Sequence, residues 1–134
     1  MIVQDFYISK YDWNVRIYYA IDTVFSDEII EELINLDCSK EEFEEFYEIM
    51  KNFDYNNGFT FSNPKYKSSL LLIGVASSAD EFLSTLIHEI GHLVMHIAES
   101  SGIDPFGEEL QYLNGGIARA AFAVAKHFLC DNCR

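Results

Sequence analysis

The sequence has few cysteines, few basic residues and no long hydrophobic run. Its longest apolar run, residues 70–76, contains a glycine and is far too short to span a bilayer. The N-terminus lacks the basic region and apolar core of a signal peptide. The odd set Cys38, Cys130 and Cys133 is atypical of a secreted disulfide framework. We therefore expect a cytoplasmic protein without a membrane segment.

The shortage of basic residues also narrows the choice of partner. Nine lysines and arginines stand against 22 acidic residues, which gives a net charge of −13. Such a surface repels phosphates, so neither DNA nor RNA is an expected substrate. A peptide or protein fits this charge better, while solubility alone also accounts for it. The oligomeric state is left open.

The chain contains no linker, repeat or low-complexity segment, and its 134 residues suit one domain, 1–134. Residue patterns predict strands at 3–8, 13–21, 59–62 and 68–75, and helices at 27–36, 40–52, 79–100 and from about 106 onward. Ser26 and Ser39 are the expected N-caps of the first two helices. This order predicts an α+β domain whose mostly antiparallel sheet packs against helices.

One segment of the chain points to a specific chemistry: His88-Glu89-Ile90-Gly91-His92. On a helix, His88 and His92 lie about 40° apart around the axis and about 6 Å apart along it, so both can bind one cation. Glu89 lies beside them, where it can take a proton from a metal-bound water. The pattern therefore predicts a zinc hydrolase site.

The surrounding residues favour the helix that this motif needs. Ser78 and Glu81 form an S-x-x-E capping box before a long apolar-periodic run. The apolar face consists of Phe82, Leu86, Ile90, Leu93 and Ile97, and it is widened by Leu83, Ile87 and Val94. The histidines fall on the remaining polar stripe. The alternative is a chance match, in which the histidines belong to an ordinary amphipathic helix.

A catalytic zinc usually has three protein ligands, so a third is needed. His96 continues the i, i+4 series but lies about 12 Å along the axis from His88, which excludes joint ligation on a straight helix. Beyond the turn at 100–105, we prefer Glu108 to Glu109, with Tyr112 one turn later as an oxyanion donor. These acids are also explained by the preference of a first helical turn for negative charge.

The C-terminal Cys130-Asp131-Asn132-Cys133 is a lone C-x-x-C segment three residues after His127. Without a second Cys or His pair it is a weak metal signal, and a frayed tail with two thiols is the preferred interpretation.

The residues from His88 to His96, followed by 108–113, resemble the small gluzincin-type metallopeptidases of phages and mobile elements, and locally the ImmA/IrrE metallopeptidases. This resemblance covers residues 70–121 and implies a zincin-like fold, with zinc bound by His88, His92 and Glu108 and with Glu89 as general base. Gln111 stands where such families have the alanine of a Glu-x-x-Ala element. By the same analogy, residues 70–75 are the candidate edge strand for pairing with an extended peptide, and the alternative is an ordinary inner strand.

The expected function is peptide hydrolysis with Zn²⁺, a metal-bound water and Glu89. One alternative is a non-catalytic interaction or regulatory protein of a mobile element that keeps a metal site for stability. Another is a toxin or latent protease that is active only in a complex.

Overall fold

The computed structural model describes residues 1–21, 27–51 and 55–131 as one mixed α+β domain. Its elements are β1 (Ile2–Ile8), β2 (Trp13–Ile21), α1 (Asp27–Asn35), α2 (Lys40–Met50), β3 (Gly58–Asn63), β4 (Ser68–Gly74), α3 (Ala79–Ser101) and α4 (Glu108–Ala125). The predicted fold class and element order are confirmed. None of the helices in these ranges combines the length and apolar character needed to cross a membrane.

The four strands form one sheet in the order β1-β2-β4-β3. β1 pairs with β2 and β3 pairs with β4 in antiparallel fashion, whereas β2 and β4 run parallel. The parallel pair requires a long connection, which α1, α2 and β3 provide. The sheet is therefore mostly antiparallel, as predicted, but its centre is a parallel pair.

The sheet is covered on both faces. α3 and α4 pack on one face, where alternate residues of β2 and β4 such as Val15, Ile17 and Leu71 join their core. α1 and α2 pack on the other face with Tyr18, Leu70 and the aromatic side of β3. Because successive strand residues point to opposite faces, each core takes every second residue. The exception is the end of β2, where a register shift between Tyr18 and Ile21 brings Ile21 into the same core as Tyr18.

The position of β4 corrects the expectation that residues 70–75 form an edge strand. β4 lies between β2 and β3, and Leu70, Leu71, Leu72 and Ile73 are all buried. A continuous apolar run is typical of a strand covered on both faces, which explains this position. The edge strand beside the motif helix is β3.

The N-caps position the helices largely as the sequence predicts. Ser39 begins α2 with a full capping box, in which its side chain accepts from the Glu42 N–H and Glu42 reaches back to the Ser39 N–H. Ser78 begins α3 and accepts from the Glu81 N–H at 3.3 Å. Gly102, with a φ of 71°, ends α3 in the left-handed region that favours glycine. The predicted cap Ser26 lies outside the described residues.

Candidate active site

The helix α3, which carries the motif, is less buried than its apolar sequence predicts. Phe82, Ile90 and Leu93 face the core. Leu83 and Ile87, expected to widen the apolar face, are 45% and 49% exposed. Among the described residues, the sheet, α4 and Phe128 pack against α3, so the covered face is narrower than the hydrophobic sequence indicates. The opposite face is left open around the histidines.

His88 and His92 converge on one point. Both side chains are exposed, and their Nε2 atoms lie 3.3 Å apart with the rings tilted by 79°. Two nitrogens that bind one tetrahedral zinc at about 2.0–2.1 Å lie roughly 3.3–3.4 Å from each other. The same separation is long for a hydrogen bond between two imidazoles. The pair therefore fits two adjacent positions of a metal site.

Glu89 is buried next to this pair, with only 5% of its surface exposed. Its Oε1 accepts a hydrogen bond of 2.7 Å from Thr60 Oγ1 on β3. Its Oε2 has no hydrogen-bond partner among the described residues, but it is not sealed from solvent, and Glu89 lines the cleft beside the histidines. One oxygen therefore fixes the carboxylate while the other remains available to a proton.

Gly58 makes room for this carboxylate. A Cβ atom at residue 58 would lie 2.8 Å from Cγ and 2.9 Å from Oε2 of Glu89, which is closer than real contacts allow. β3 therefore presents three small residues, Gly58, Thr60 and Ser62, to α3, while Phe59 and Phe61 face the other core. This period-two alternation of small and aromatic residues is visible in the sequence and is the signal that could have placed β3 beside the motif.

The motif residues lie in an open cleft of about 560 Å³ between α2, β3 and α3. Glu42 and Glu45 of α2 and Glu99 of α3 line its walls. The floor is formed by β3, from Gly58 to Ser62. The cleft is thus acidic at its rim and bordered by a strand at the edge of the sheet.

His96 lies farther along the same cleft and is held by a chain of hydrogen bonds. Its Nδ1 is 2.7 Å from Ser62 Oγ, which is 2.6 Å from Ser69 Oγ. Trp13 donates its Nε1–H to Ser69 Oγ at 2.8 Å. Burial and then the nearby His92 lower the pKa of His96. The sequence predicted that His96 is not a ligand together with His88 and His92, but it gave no sign of these partners.

The structure does not bring Glu108 to the two histidines. α3 continues nine residues beyond His92 to Ser101, or about 14 Å, before the chain turns into α4. Glu108 lies exposed in the first turn of α4 and is absent from the lining of the cleft. Within the described ranges, no group of three His, Cys, Asp or Glu side chains is placed to hold a metal ion.

Glu109 and Tyr112 also lie elsewhere. Glu109 accepts a 2.7 Å hydrogen bond from Tyr11 and pairs with Lys10 at 3.2 Å, and these contacts lower the pKa of Glu109. Glu109 therefore ties α4 to the turn that follows β1. Tyr112 is 77% exposed and lines a separate groove between β1 and α4. Its expected role as an oxyanion donor therefore lacks support from this arrangement.

At the C-terminus, Cys130 is partly buried and His127 is exposed, while Cys133 lies outside the described residues.

No family model, curated protein or solved structure matches the chain.

Proposed function

We propose that the protein is a metal-dependent peptidase that hydrolyses a peptide bond in the cleft between α2, β3 and α3. The observation that carries this proposal is the 3.3 Å approach of His88 and His92 Nε2 beside the buried carboxylate of Glu89. A helix with two convergent imidazoles and an adjacent carboxylate has the residue types and order of H-E-x-x-H hydrolases.

His88 and His92 would hold the metal, for which Zn²⁺ suits the imidazole ligands. A zinc ion there supplies Lewis acidity toward a peptide carbonyl and lowers the pKa of water. Glu89 accepts the proton of the attacking water at Oε2 and delivers it to the leaving amine nitrogen. Thr60 keeps the carboxylate oriented through Oε1 during both transfers.

The edge of β3 offers a place for the peptide. Gly74 of β4 donates its N–H to the carbonyl of Asn57 at 2.7 Å, so these two residues form a hydrogen-bonded pair. Hydrogen-bonded and non-hydrogen-bonded pairs alternate along an antiparallel ladder, so the N–H and C=O groups of Phe59 and Phe61 point toward β4. The backbone groups of Thr60 and Ser62 then point to the open edge. An extended peptide can add there as a further strand, with its backbone next to Glu89 and the histidines.

The proposed setting is the cytoplasm. The odd number of cysteines supports a reducing compartment. Burial, followed by the nearby charge of Glu42, raises the pKa of the Cys38 thiol to about 11, so this thiol stays protonated and poorly reactive.

Hydrolysis of a quenched-fluorescence peptide library by the zinc-loaded protein tests the function. We expect Glu89→Gln to lower kcat by about 10²–10⁴-fold, because the general base is lost. Both proteins should bind the same amount of zinc. Glu44→Gln, an exposed carboxylate of α2 outside the cleft, should retain full activity. Equal rates for the native protein and Glu89→Gln would contradict the proposal.

The same variant separates catalysis from the alternative of a non-catalytic interaction protein with a structural metal. Structural zinc sites are closed by four protein ligands, whereas the described part of the cleft brings two imidazoles together. A structural zinc protein would retain its metal, fold and partner binding in Glu89→Gln and would show no hydrolysis in either form.

The position of Glu108 gives a further expectation for the metal site. Because Glu108 lies outside the cleft, Glu108→Ala should bind as much zinc as the native chain. Loss of zinc in this variant would restore Glu108 as the third ligand and would show that α4 moves when the metal binds.

A further inference from the structure

We propose that His96 is held as an Nε2–H donor that faces the cleft and binds the carbonyl oxygen of the substrate as that oxygen gains negative charge. The inference depends on the proposed peptidase function. It gives to His96 the role that the sequence assigned to Tyr112, which lies in a different groove.

The directions of the hydrogen bonds determine the tautomer. Trp13 can only donate through Nε1–H, so Ser69 Oγ accepts from it. Ser69 is buried, and among the described residues Ser62 Oγ, 2.6 Å away, is the acceptor within reach of its hydroxyl proton. We therefore assign Ser69 as the donor and Ser62 as the acceptor of this bond, since a buried hydroxyl proton without an acceptor is costly. Ser62 then donates its proton to Nδ1 of His96 at 2.7 Å. A neutral imidazole that accepts at Nδ1 carries its proton on Nε2.

The protonated nitrogen is available to a ligand. Nε2 of His96 has no hydrogen-bond partner among the described residues, yet it is not closed off from solvent. His96 lines the same cleft as His88, Glu89 and His92. An N–H that is already oriented and lacks a partner is the arrangement that stabilises a developing oxyanion at little reorganisation cost.

The distances between the rings place His96 next to the His88–His92 pair, but not as part of it. The rings of His88 and His92 have centroids 4.9 Å apart, whereas those of His92 and His96 are 6.4 Å apart. His96 lies one helical turn beyond His92, about 6 Å along the axis.

The tautomer can be measured without any activity by nitrogen-15 NMR of the histidine rings at about pH 8, above the usual imidazole pKa. We expect Nδ1 of His96 to be unprotonated and Nε2 to carry the proton. Ser62→Ala should convert this single form into a mixture, because Nδ1 loses its donor. Ser100→Ala, a serine of the same cleft, should leave the spectrum unchanged. A native His96 protonated at Nδ1 would overturn the proposal.

The catalytic role is tested with His96→Ala and His96→Gln. We expect His96→Ala to keep its zinc and to lower kcat by about 10²–10³-fold, as removal of an oxyanion donor does, with KM changed far less. His96→Gln should recover part of kcat because its amide supplies an N–H. Loss of zinc in His96→Ala would make His96 a ligand, and an unchanged kcat would remove the donor role.

The NMR measurement and the kinetics of the His96 variants separate a failure of the His96 proposal from a failure of the proposed peptidase function. If the native protein hydrolyses no peptide, the peptidase proposal fails and the oxygen-binding role of His96 fails with it. The orientation of the Nε2–H is decided by the spectrum in either case.

Discussion

Gly58 lies directly against the carboxylate of Glu89, and this contact connects β3 to the chemistry of α3. The site needs a strand residue without a side chain at this position, because a Cβ would meet Cγ and Oε2 of Glu89. Thr60, two residues later on the same face, donates a hydrogen bond of 2.7 Å to the same carboxylate. Small residues on β3 are therefore part of the site.

Gly58→Ala should displace Glu89 and weaken its hydrogen bond with Thr60. We expect the free energy of unfolding to fall by about 1–3 kcal/mol, the usual cost of overpacking a filled site. Urea denaturation measures this change. Gly115→Ala is the matched control, since a Cβ there meets no atom within 4 Å and alanine is favoured over glycine in a helix by up to about 1 kcal/mol. Equal stability changes in the two variants would contradict the steric argument.

The helices and strands were predicted from the sequence largely because their signals are local. The cap at Ser39, the turn at Gly102 and the period of α3 each depend on residues close together in the chain. The roles of β4 and α4 depend on distant contacts. The apolar residues of β4 do indicate an interior strand, but Tyr112 and Glu109 gave no local sign that α4 would lie against β1.

Ser39→Ala should destabilise α2 and with it one wall of the cleft. The capping box satisfies N–H groups at both Ser39 and Glu42, and its loss should cost about 0.5–2 kcal/mol in the free energy of unfolding. Thermal or urea unfolding reports the change. Ser101→Ala, an exposed substitution in the last turn of α3, should have almost no effect. A Ser39→Ala protein as stable as this control would show that the cap contributes nothing.

At the scale of the whole molecule, the element order was predictable and the strand order was not. Nothing local shows that β2 pairs in parallel with β4, so the sequence could not place β3 at the edge beside α3. The close approach of His88 and His92 was predictable for the opposite reason, because the two residues share one helix. Glu108 failed to join them because its position depends on where α3 ends and how α4 packs.

Arg16 of β2 links three elements, since it binds Asp5 of β1 at 2.7 Å and Glu32 of α1 at 3.1 Å. The hydrogen bond from Arg16 lowers the pKa of Asp5 below its ordinary value of 3.8. Because the pKa of Asp5 is lower in the folded than in the unfolded protein, its ion pair with Arg16 stabilises the fold at pH values above 3.8. This stabilisation is lost as the pH falls through the folded-state pKa of Asp5. This pair should therefore matter at neutral pH and vanish in acid.

Asp5→Asn should lower the free energy of unfolding at neutral pH by about 0.2–1 kcal/mol, a small amount because both side chains are partly exposed. The difference from the native protein should shrink below about pH 4 and then disappear. Urea unfolding across this pH range measures it. Glu31→Gln, an exposed carboxylate of α1, is the control for a change in net charge. A stability difference that grows toward acid pH would contradict the assignment.

The metal content of the purified, zinc-supplied protein, measured by elemental analysis, is the most direct test of the proposed metal site. We predict one zinc ion per chain, which is lost in His88→Ala and in His92→Ala, because the Nε2 atoms of these two histidines are the proposed ligands. His127→Ala, an exposed histidine outside the cleft, should keep its zinc. A native chain that binds no zinc, or zinc that persists in both cleft variants, would contradict the metal site and the peptidase proposal.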